Sequence, residues 1–293
     1  MNGAFAAALA AALGRAVAAK PEAAVHGGCI NDCYRWQTAS GPVFVKRAPL
    51  ALHWILDAER DGLERLHAAG AVCVPAVLAA GATDDEAFLA LEWLELRPAN
   101  DASDARLGAA LASLHGVHGS DFGLECDNAI GATPQPNAVA ADWPAFWRER
   151  RLGFQLDLAT KNGYGGRLQD RGRRLLEHMG EFFTSHKPLP SLLHGDLWNG
   201  NRAMRADGTP VAFDPAAYYG DSEADIAMTQ LFGGFGQGFY AAYAAARPLE
   251  SDAATRRDLY NLYHVLNHLN LFGGGYRVQA ETMIDRLLAA TGH

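Results

Sequence analysis

Apolar side chains recur at every fourth position in Phe5, Leu9, Leu13 and Val17, within a run of alanines, and this spacing predicts a helix over residues 1–20. The period then shortens. Cys33-Tyr34-Arg35-Trp36-Gln37-Thr38 and Val43-Phe44-Val45-Lys46 read as strands joined at the Ser40-Gly41-Pro42 turn, behind a loop that holds Gly27 and Gly28. Ile55, Leu56, Leu63 and Leu66 restore a helical repeat over 50–69. Residues 72–78 read as an edge or interrupted strand, because Pro75 has no N–H to donate, with a turn over 79–86. Ala87 to Leu94, apolar apart from Glu92, is expected as a buried strand that leads into a connector.

Helical patterning dominates from there. Asn100-Asp101-Ala102-Ser103 introduces a helix over 104–115, with His115 and His118 near its end as capping or packing residues. Asp142-Trp143-Pro144 opens another helix, which carries Arg148, Arg150 and Arg151, and further helices are expected over 166–185, 226–246, 251–271 and 276–291. The glycine-rich run 232–238 follows no strand and reads as a helix break, and Asp225 reads as an N-cap whose side chain could also brace a neighbouring loop. Residues 122–139 form a long loop dense in Gly, Pro and Asn, and a loop of that length inside a compact domain suggests a functional element, part of an acceptor pocket. A strand-rich first third followed by helices gives an α+β chain of two lobes, 1–94 and 95–293.

Composition narrows the setting. The apolar fraction of 49% and charged fraction of 20% are those of a globular protein, and the net charge of −8 with no Lys/Arg run argues against a nucleic-acid partner. Cys29, Cys33, Cys73 and Cys126 show no paired metal-binding spacing, as expected of thiols in a reducing cytoplasm. The alanine-rich start lacks a basic segment ahead of it and is interrupted by Arg15 and Lys20, so neither a signal sequence nor a membrane span is expected. A cytoplasmic location follows as the default, and oligomeric state is left open.

Chemistry concentrates in Leu193-His194-Gly195-Asp196-Leu197-Trp198-Asn199-Gly200-Asn201, followed by Val211-Ala212-Phe213-Asp214. Asp196 and Asn201 stand five apart, and Asp214 ends a short apolar run, which is the spacing of phosphotransferases. Phosphoryl transfer needs a carboxylate to orient and deprotonate the acceptor hydroxyl, and oxygen ligands for Mg²⁺ on the phosphates. Asp196 suits the first role; Asn201 and Asp214 suit the second. Lys46, ending a β-branched run, can meet nucleotide phosphates if a carboxylate of the next helix holds it, with Glu59 preferred over Asp57 and Glu64. Gly27 and Gly28 would let backbone N–H groups approach those phosphates, and the connector at Glu92, Trp93 and Leu94 would meet the adenine.

Gly27 to Asn31, Pro42 to Lys46, Asn128 to Asn137, Arg148 to Gly153, the His194–Asn201 loop and Phe213 to Asp221 together resemble the fructosamine/ketosamine 3-kinases. These belong to the aminoglycoside-phosphotransferase-like branch of the bilobal protein-kinase-like fold. The resemblance runs over about residues 20–290, and His-Gly-Asp-Leu-Trp with Asp-Pro-Ala-Ala-Tyr-Tyr-Gly-Asp is its most specific part. It implies ATP- and Mg²⁺-dependent phosphorylation of the sugar 3-hydroxyl of a ketosamine, free or protein-bound. Asp196 would be the base, Asn201 and Asp214 the metal ligands, Lys46 the phosphate lysine and Glu59 its partner, with Trp198, Asn128 and Tyr218 at the acceptor. It also puts Cys29 in the phosphate loop, where a thiol near N–H groups and Lys46 would be acidified and oxidisable. Asn199 stands where many members have Gly. Two alternatives are a kinase for another small hydroxyl compound, aminoglycoside- or choline-like, and a non-catalytic nucleotide-binding regulator.

Overall fold

The computed structural model describes residues 2–25 and 32–293. Gly27, Gly28 and Cys29, assigned above to a phosphate loop, lie outside the described residues. Helix α1 (Asn2–Leu13) precedes strands β1 (Ala23–Ala24), β2 (Asp32–Thr38) and β3 (Gly41–Pro49), and helix α2 (His53–Ala69) is followed by β4 (Val77–Ala82) and β5 (Glu86–Glu92). The five strands form one antiparallel sheet in the order β1-β2-β3-β5-β4. α1 stops at Leu13 because Gly14 adopts a φ of 65°, a conformation cheap only for glycine. The chain then runs beside β2, where the Ala18 N–H donates to the Gln37 carbonyl at 2.9 Å. Phe5 and Leu9 are buried on this sheet, the Phe5 ring 5.2 Å from Trp36 and 5.3 Å from Phe88. Each such side chain contributes about 1.5–3 kcal/mol by leaving water.

The fourth strand departs from expectation. It starts only at Val77, beyond Pro75, and continues to Ala82, through residues expected as a turn. Its small side chains explain this: Phe88 of β5 lies so close that a Cβ on Gly81 would come within 2.7 Å of the ring. Ala79 and Ala80 supply no apolar alternation for sequence patterning to detect, yet they pair with Ala90 and Leu89.

The rest of the chain is mainly helical. β6 (Leu96–Arg97) leads to α3 (Asp101–Leu114), whose N-cap Asn100 forms a reciprocal capping box with Ser103. The long loop contains a short hairpin, β7 (Asn128–Ile130) with β8 (Thr133–Gln135). Asp142 caps α4 (Trp143–Phe146) by accepting from the Ala145 N–H at 2.9 Å. The helix widens into a π-helical stretch over Trp147–Gly153 and continues as α5 (Phe154–Lys161) and α6 (Arg167–Glu177). β9 (Ser191–Leu193), β10 (Arg202–Arg205), β11 (Pro210–Ala212) and β12 (Tyr218–Gly220) are short strands that carry loops. β10 pairs with β11 and β6, and β12 with β9. The expected helix over 226–246 is two, α7 (Ser222–Leu231) and α8 (Gln237–Ala246), broken at the glycine-rich run as its composition requires. α9 (Ala253–Phe272) and α10 (Arg277–Ala290) close the fold. Among the described residues no helix is long and apolar enough to cross a membrane.

One buried ionic cluster ties α7 to the segment before β9. His186 Nε2 donates to Asp221 at 2.7 Å, and its Nδ1 faces Glu250 at 3.1 Å. Burial alone would push this imidazole down, but the Asp221 hydrogen bond and charge, with Glu223, raise its pKa from 6.5 to about 9. A raised folded-state pKa means stability that is full below the unfolded value of about 6.5 and is lost as pH rises through about 9. His186→Gln is therefore expected to lower the melting temperature most near pH 6, with the gap to wild type closing by about pH 10. A gap that stayed constant across that range would show that the imidazolium contributes nothing.

Candidate active site

Each functional side chain is placed by an element end. β9 delivers His194-Gly195-Asp196, and Leu197, 1% exposed, anchors the loop in the core. Gly195 has a φ of 82°, and a Cβ there would lie 2.0 Å from the Ala216 carbonyl oxygen, so only glycine fits. The loop is braced from below by α7: the Asp225 carboxylate accepts from the His194 N–H at 2.7 Å and the Gly195 N–H at 2.8 Å. His115 supports Asp225 in turn at 3.2 Å and meets the Tyr243 hydroxyl at 2.8 Å. The N-cap of α7 is Asp221, not Asp225, whose side chain takes the bracing role instead. His115 is the C-cap of α3 and fully buried, in keeping with the capping or packing role expected of it.

Asn201 ends a 3-10 turn after Trp198, and its amide N–H donates to the Asp196 carbonyl at 2.9 Å and carboxylate at 3.2 Å. β11 ends just before Asp214, whose φ of 56° is the one positive value at a non-glycine among the described residues. Strain of this kind costs about 1–3 kcal/mol and persists where surrounding structure holds it. Above these groups Lys46, on β3, reaches both carboxylate oxygens of Glu59 on α2, at 2.7 and 2.8 Å, and Asp214 Oδ1 at 2.6 Å. Of the three rival acids on α2, Glu59 is the buried one that meets the lysine.

The electrostatics follow from this crowding. Burial by itself would push the Lys46 ammonium down, but Glu59 and Asp214 hold it well above its ordinary value, so it stays charged. Burial, then the Asp214 charge, pushes the Asp196 carboxyl up from 3.8 to about 7. Burial likewise raises the Cys33 thiol to about 11, against the pull of Lys46.

Two cavities meet at this point. One, of about 410 Å³, lies under the sheet and is lined by Phe44, Leu91, Glu92, Trp93 and Leu94, with Lys46 and Asp214 at its inner end. The other, of about 180 Å³, is lined by Asp196, Trp198, Asn201, His264, Asn267 and His268. The hairpin tip Ala129-Ile130-Gly131 forms one of its walls. His264, Asn267 and His268 of α9 line this cavity, while Asn270 bonds Gln155. Asn128 and Tyr218, expected at the acceptor, stand behind the wall instead. The Asn128 amide donates to the Ala217 carbonyl at 2.8 Å, and Tyr218 packs against Arg151. Arg151 itself is buried, whereas Arg148 is exposed.

Carboxylates gathered beneath a buried lysine, with a nucleotide-sized cleft on one side and a polar cavity on the other, form a machine for moving a phosphoryl group, and the fold is that of the protein-kinase-like phosphotransferases. A solved aminoglycoside phosphotransferase matches it with a TM-score of 0.63 at 14% identity, covering 97% of this chain and 98% of that one. The particular family is equally plain: the profile described as fructosamine kinase matches residues 1–290, and the chain belongs to that family. A Synechocystis protein designated a probable ketoamine kinase is 44% identical over 90% of this chain and 89% of its own. A chloroplastic protein-ribulosamine 3-kinase of Arabidopsis thaliana is 40% identical over 90% of this chain and 81% of its own. A solved structure designated a fructosamine-3-kinase, from Haemophilus somnus, superimposes with a TM-score of 0.87 at 29% identity, covering 97% of both chains.

Proposed function

We propose that the protein transfers the γ-phosphoryl group of ATP to the sugar 3-hydroxyl of a ketosamine, a sugar joined to an amine by glycation. The observation that carries this reading is that Asp196 lines the polar cavity, which shares Lys46 and Asp214 with the inner end of the nucleotide cleft. Relatives named for ribulosamine and fructosamine support the acceptor class and the 3-position.

The residues divide the work. Glu92, Trp93 and Leu94 border the adenine end of the cleft, and Lys46, held by Glu59, meets the phosphates. Asp196 accepts the proton of the acceptor hydroxyl while the oxygen–phosphorus bond to the acceptor forms and the bond to ADP breaks. Asp214 and the Asn201 side-chain oxygen are hard donors on one wall and fit Mg²⁺, which, when bound, neutralises charge on the phosphates.

The acceptor cavity suits a sugar. Burial pushes His264 down to about 3 and lowers His268, so both imidazoles are neutral hydrogen-bonding groups at pH 7. His268 Nδ1 lies 2.8 Å from the His264 carbonyl and must carry the proton there, which leaves Nε2 as an acceptor. Trp198 and Phe272 supply apolar faces.

ADP release with Mg-ATP should be measured against N-α-protected ribulosyl-lysine and fructosyl-lysine, with an aminoglycoside as control. Turnover is expected on a ketosamine and not on the control. Turnover on the aminoglycoside alone would discard the acceptor while keeping the phosphotransfer chemistry.

A further inference from the structure

Two sequence stretches that mark the family, Asn128 to Asn137 and Arg148 to Gly153, have no role in the mechanism above, and the structure joins them into one buried polar network. Its anchor is Arg151, 0% exposed, projected inward from the π-helical stretch. Among the described residues no carboxylate pairs with it. Its guanidinium donates to the Pro136 carbonyl at 2.6 Å and to Asn137 Oδ1 at 2.7 Å, and it lies over the Tyr218 and Phe146 rings at 4.1 and 4.6 Å. A buried cation without a counter-charge is expensive, and here the two terminal guanidinium nitrogens are met by carbonyl oxygens and the plane by aromatic faces, while Nε has no partner.

From Arg151 the network runs towards the catalytic loop. The Asn137 amide donates to Asn128 Oδ1 at 2.8 Å, and Gln135 Nε2 donates to the same oxygen at 2.8 Å. Gln135 Nε2 also reaches the Ala216 carbonyl at 3.2 Å, and Tyr263 donates its hydroxyl proton to Gln135 Oε1 at 2.7 Å. Ala216 is the junction, for its N–H donates to the His194 carbonyl at 2.9 Å and its carbonyl oxygen sits under Gly195. Between Asn128 and Gln135 lies Ala129-Ile130-Gly131, the wall of the acceptor cavity, with the Ile130 carbonyl accepting from Asn267 at 3.3 Å. The side chains that close the hairpin thus grip Ala216 and Ala217, the segment that pairs with His194 just before Asp196.

We propose that Gln135, bonded to Asn128, Ala216 and Tyr263 and backed through Asn128 by Asn137 and Arg151, is a positioning residue that fixes the acceptor wall relative to the Asp196 loop. It touches neither acceptor nor nucleotide. It sets the distance between the wall on which the acceptor rests and the carboxylate that takes its proton, and an error of about 1 Å there is worth as much as 10²-fold in rate. This inference rests on the ketosamine reading for its choice of acceptor.

The decisive variant is Gln135→Met, similar in length and unable to make the bonds to Asn128 and Ala216. Tyr263→Phe is the milder partner, since it removes only the hydroxyl that orients the Gln135 amide and leaves the ring packed. Acceptor kcat/KM is expected to fall about tenfold or more in Gln135→Met, and by less in Tyr263→Phe. The dissociation constant for Mg-ATP and the slow acceptor-independent hydrolysis of ATP should stay within about twofold of wild type. Unchanged acceptor kcat/KM in either folded variant overturns the proposal. So does a loss of nucleotide affinity and hydrolysis in parallel with acceptor turnover, which a general loosening of the fold would produce. If Gln135→Met does not fold, Tyr263→Phe decides alone. A wild-type enzyme silent on ketosamines would sink the functional reading instead, and the same comparison would then be read with whichever hydroxyl acceptor it does phosphorylate.

Discussion

Asp196→Asn is expected to lower kcat by about 10³-fold while leaving Mg-ATP affinity close to wild type. The substitution is isosteric, and the groups that place residue 196 do not depend on its charge: Asp225 holds the loop through the N–H groups of His194 and Gly195, and Leu197 stays buried. What is lost is the proton acceptor. Burial and Asp214 raise this carboxyl to about 7, so its conjugate base is strong enough to take a hydroxyl proton as the phosphoryl group leaves. The nucleotide side should be unaffected, because Lys46 keeps both Glu59 and Asp214. Steady-state kinetics with the preferred acceptor, beside calorimetric titration of the nucleotide, would separate the two effects. A fall of less than about tenfold would remove Asp196 as the base, since a positioned general base contributes about 10²–10⁴.

Much of this site was legible because its chemistry is local in sequence. The His194–Asn201 loop and Asp214 lie within one stretch, and their fixed spacing alone marks them for the proposed oxygen-ligand and base roles. Lys46 and Glu59 were readable as a strand residue and the helix after it; β3 runs on past Lys46 to Pro49, and the structure brings the two side chains to 2.7 Å. The misreadings have physical causes too. Gly14 ends the first helix with a left-handed turn that the fourfold apolar pattern does not register. The fourth strand is mostly alanine and glycine, with Gly81 beneath Phe88, so it leaves no apolar alternation.

Tertiary chemistry was the harder part. Gln135 and Arg151 sit far apart from the catalytic loop along the chain, and nothing local to either says that one grips the Ala216 carbonyl while the other is buried without an acid. The resemblance put Asn128 at the acceptor, but it is 5% exposed and its hydrogen bonds are satisfied within the protein. His264, Asn267 and His268 line the cavity only because α9 passes the catalytic loop at that turn. A residue's neighbours across a fold are set by packing, which hydrophobic periodicity describes only on average.

Asp214 carries the second large effect, and a pair of substitutions separates its roles. Asp214→Ala is expected to abolish Mg²⁺-dependent turnover, because it removes a negatively charged oxygen ligand and one of the two acids beside Lys46. Asp214→Asn retains an oxygen and, since Asn tolerates positive φ better than most residues, the backbone at φ 56° as well. It lacks the charge, so it should show residual activity that needs a higher Mg²⁺ concentration. Neither change should unfold the protein, as Lys46 keeps the buried Glu59 carboxylate for its own charge. Turnover measured across a Mg²⁺ titration at saturating acceptor gives the answer. If Asp214→Ala retained turnover with an undiminished Mg²⁺ response, the strand-end carboxylate would be a partner of Lys46 only, and the metal would have to be held from elsewhere in the cleft.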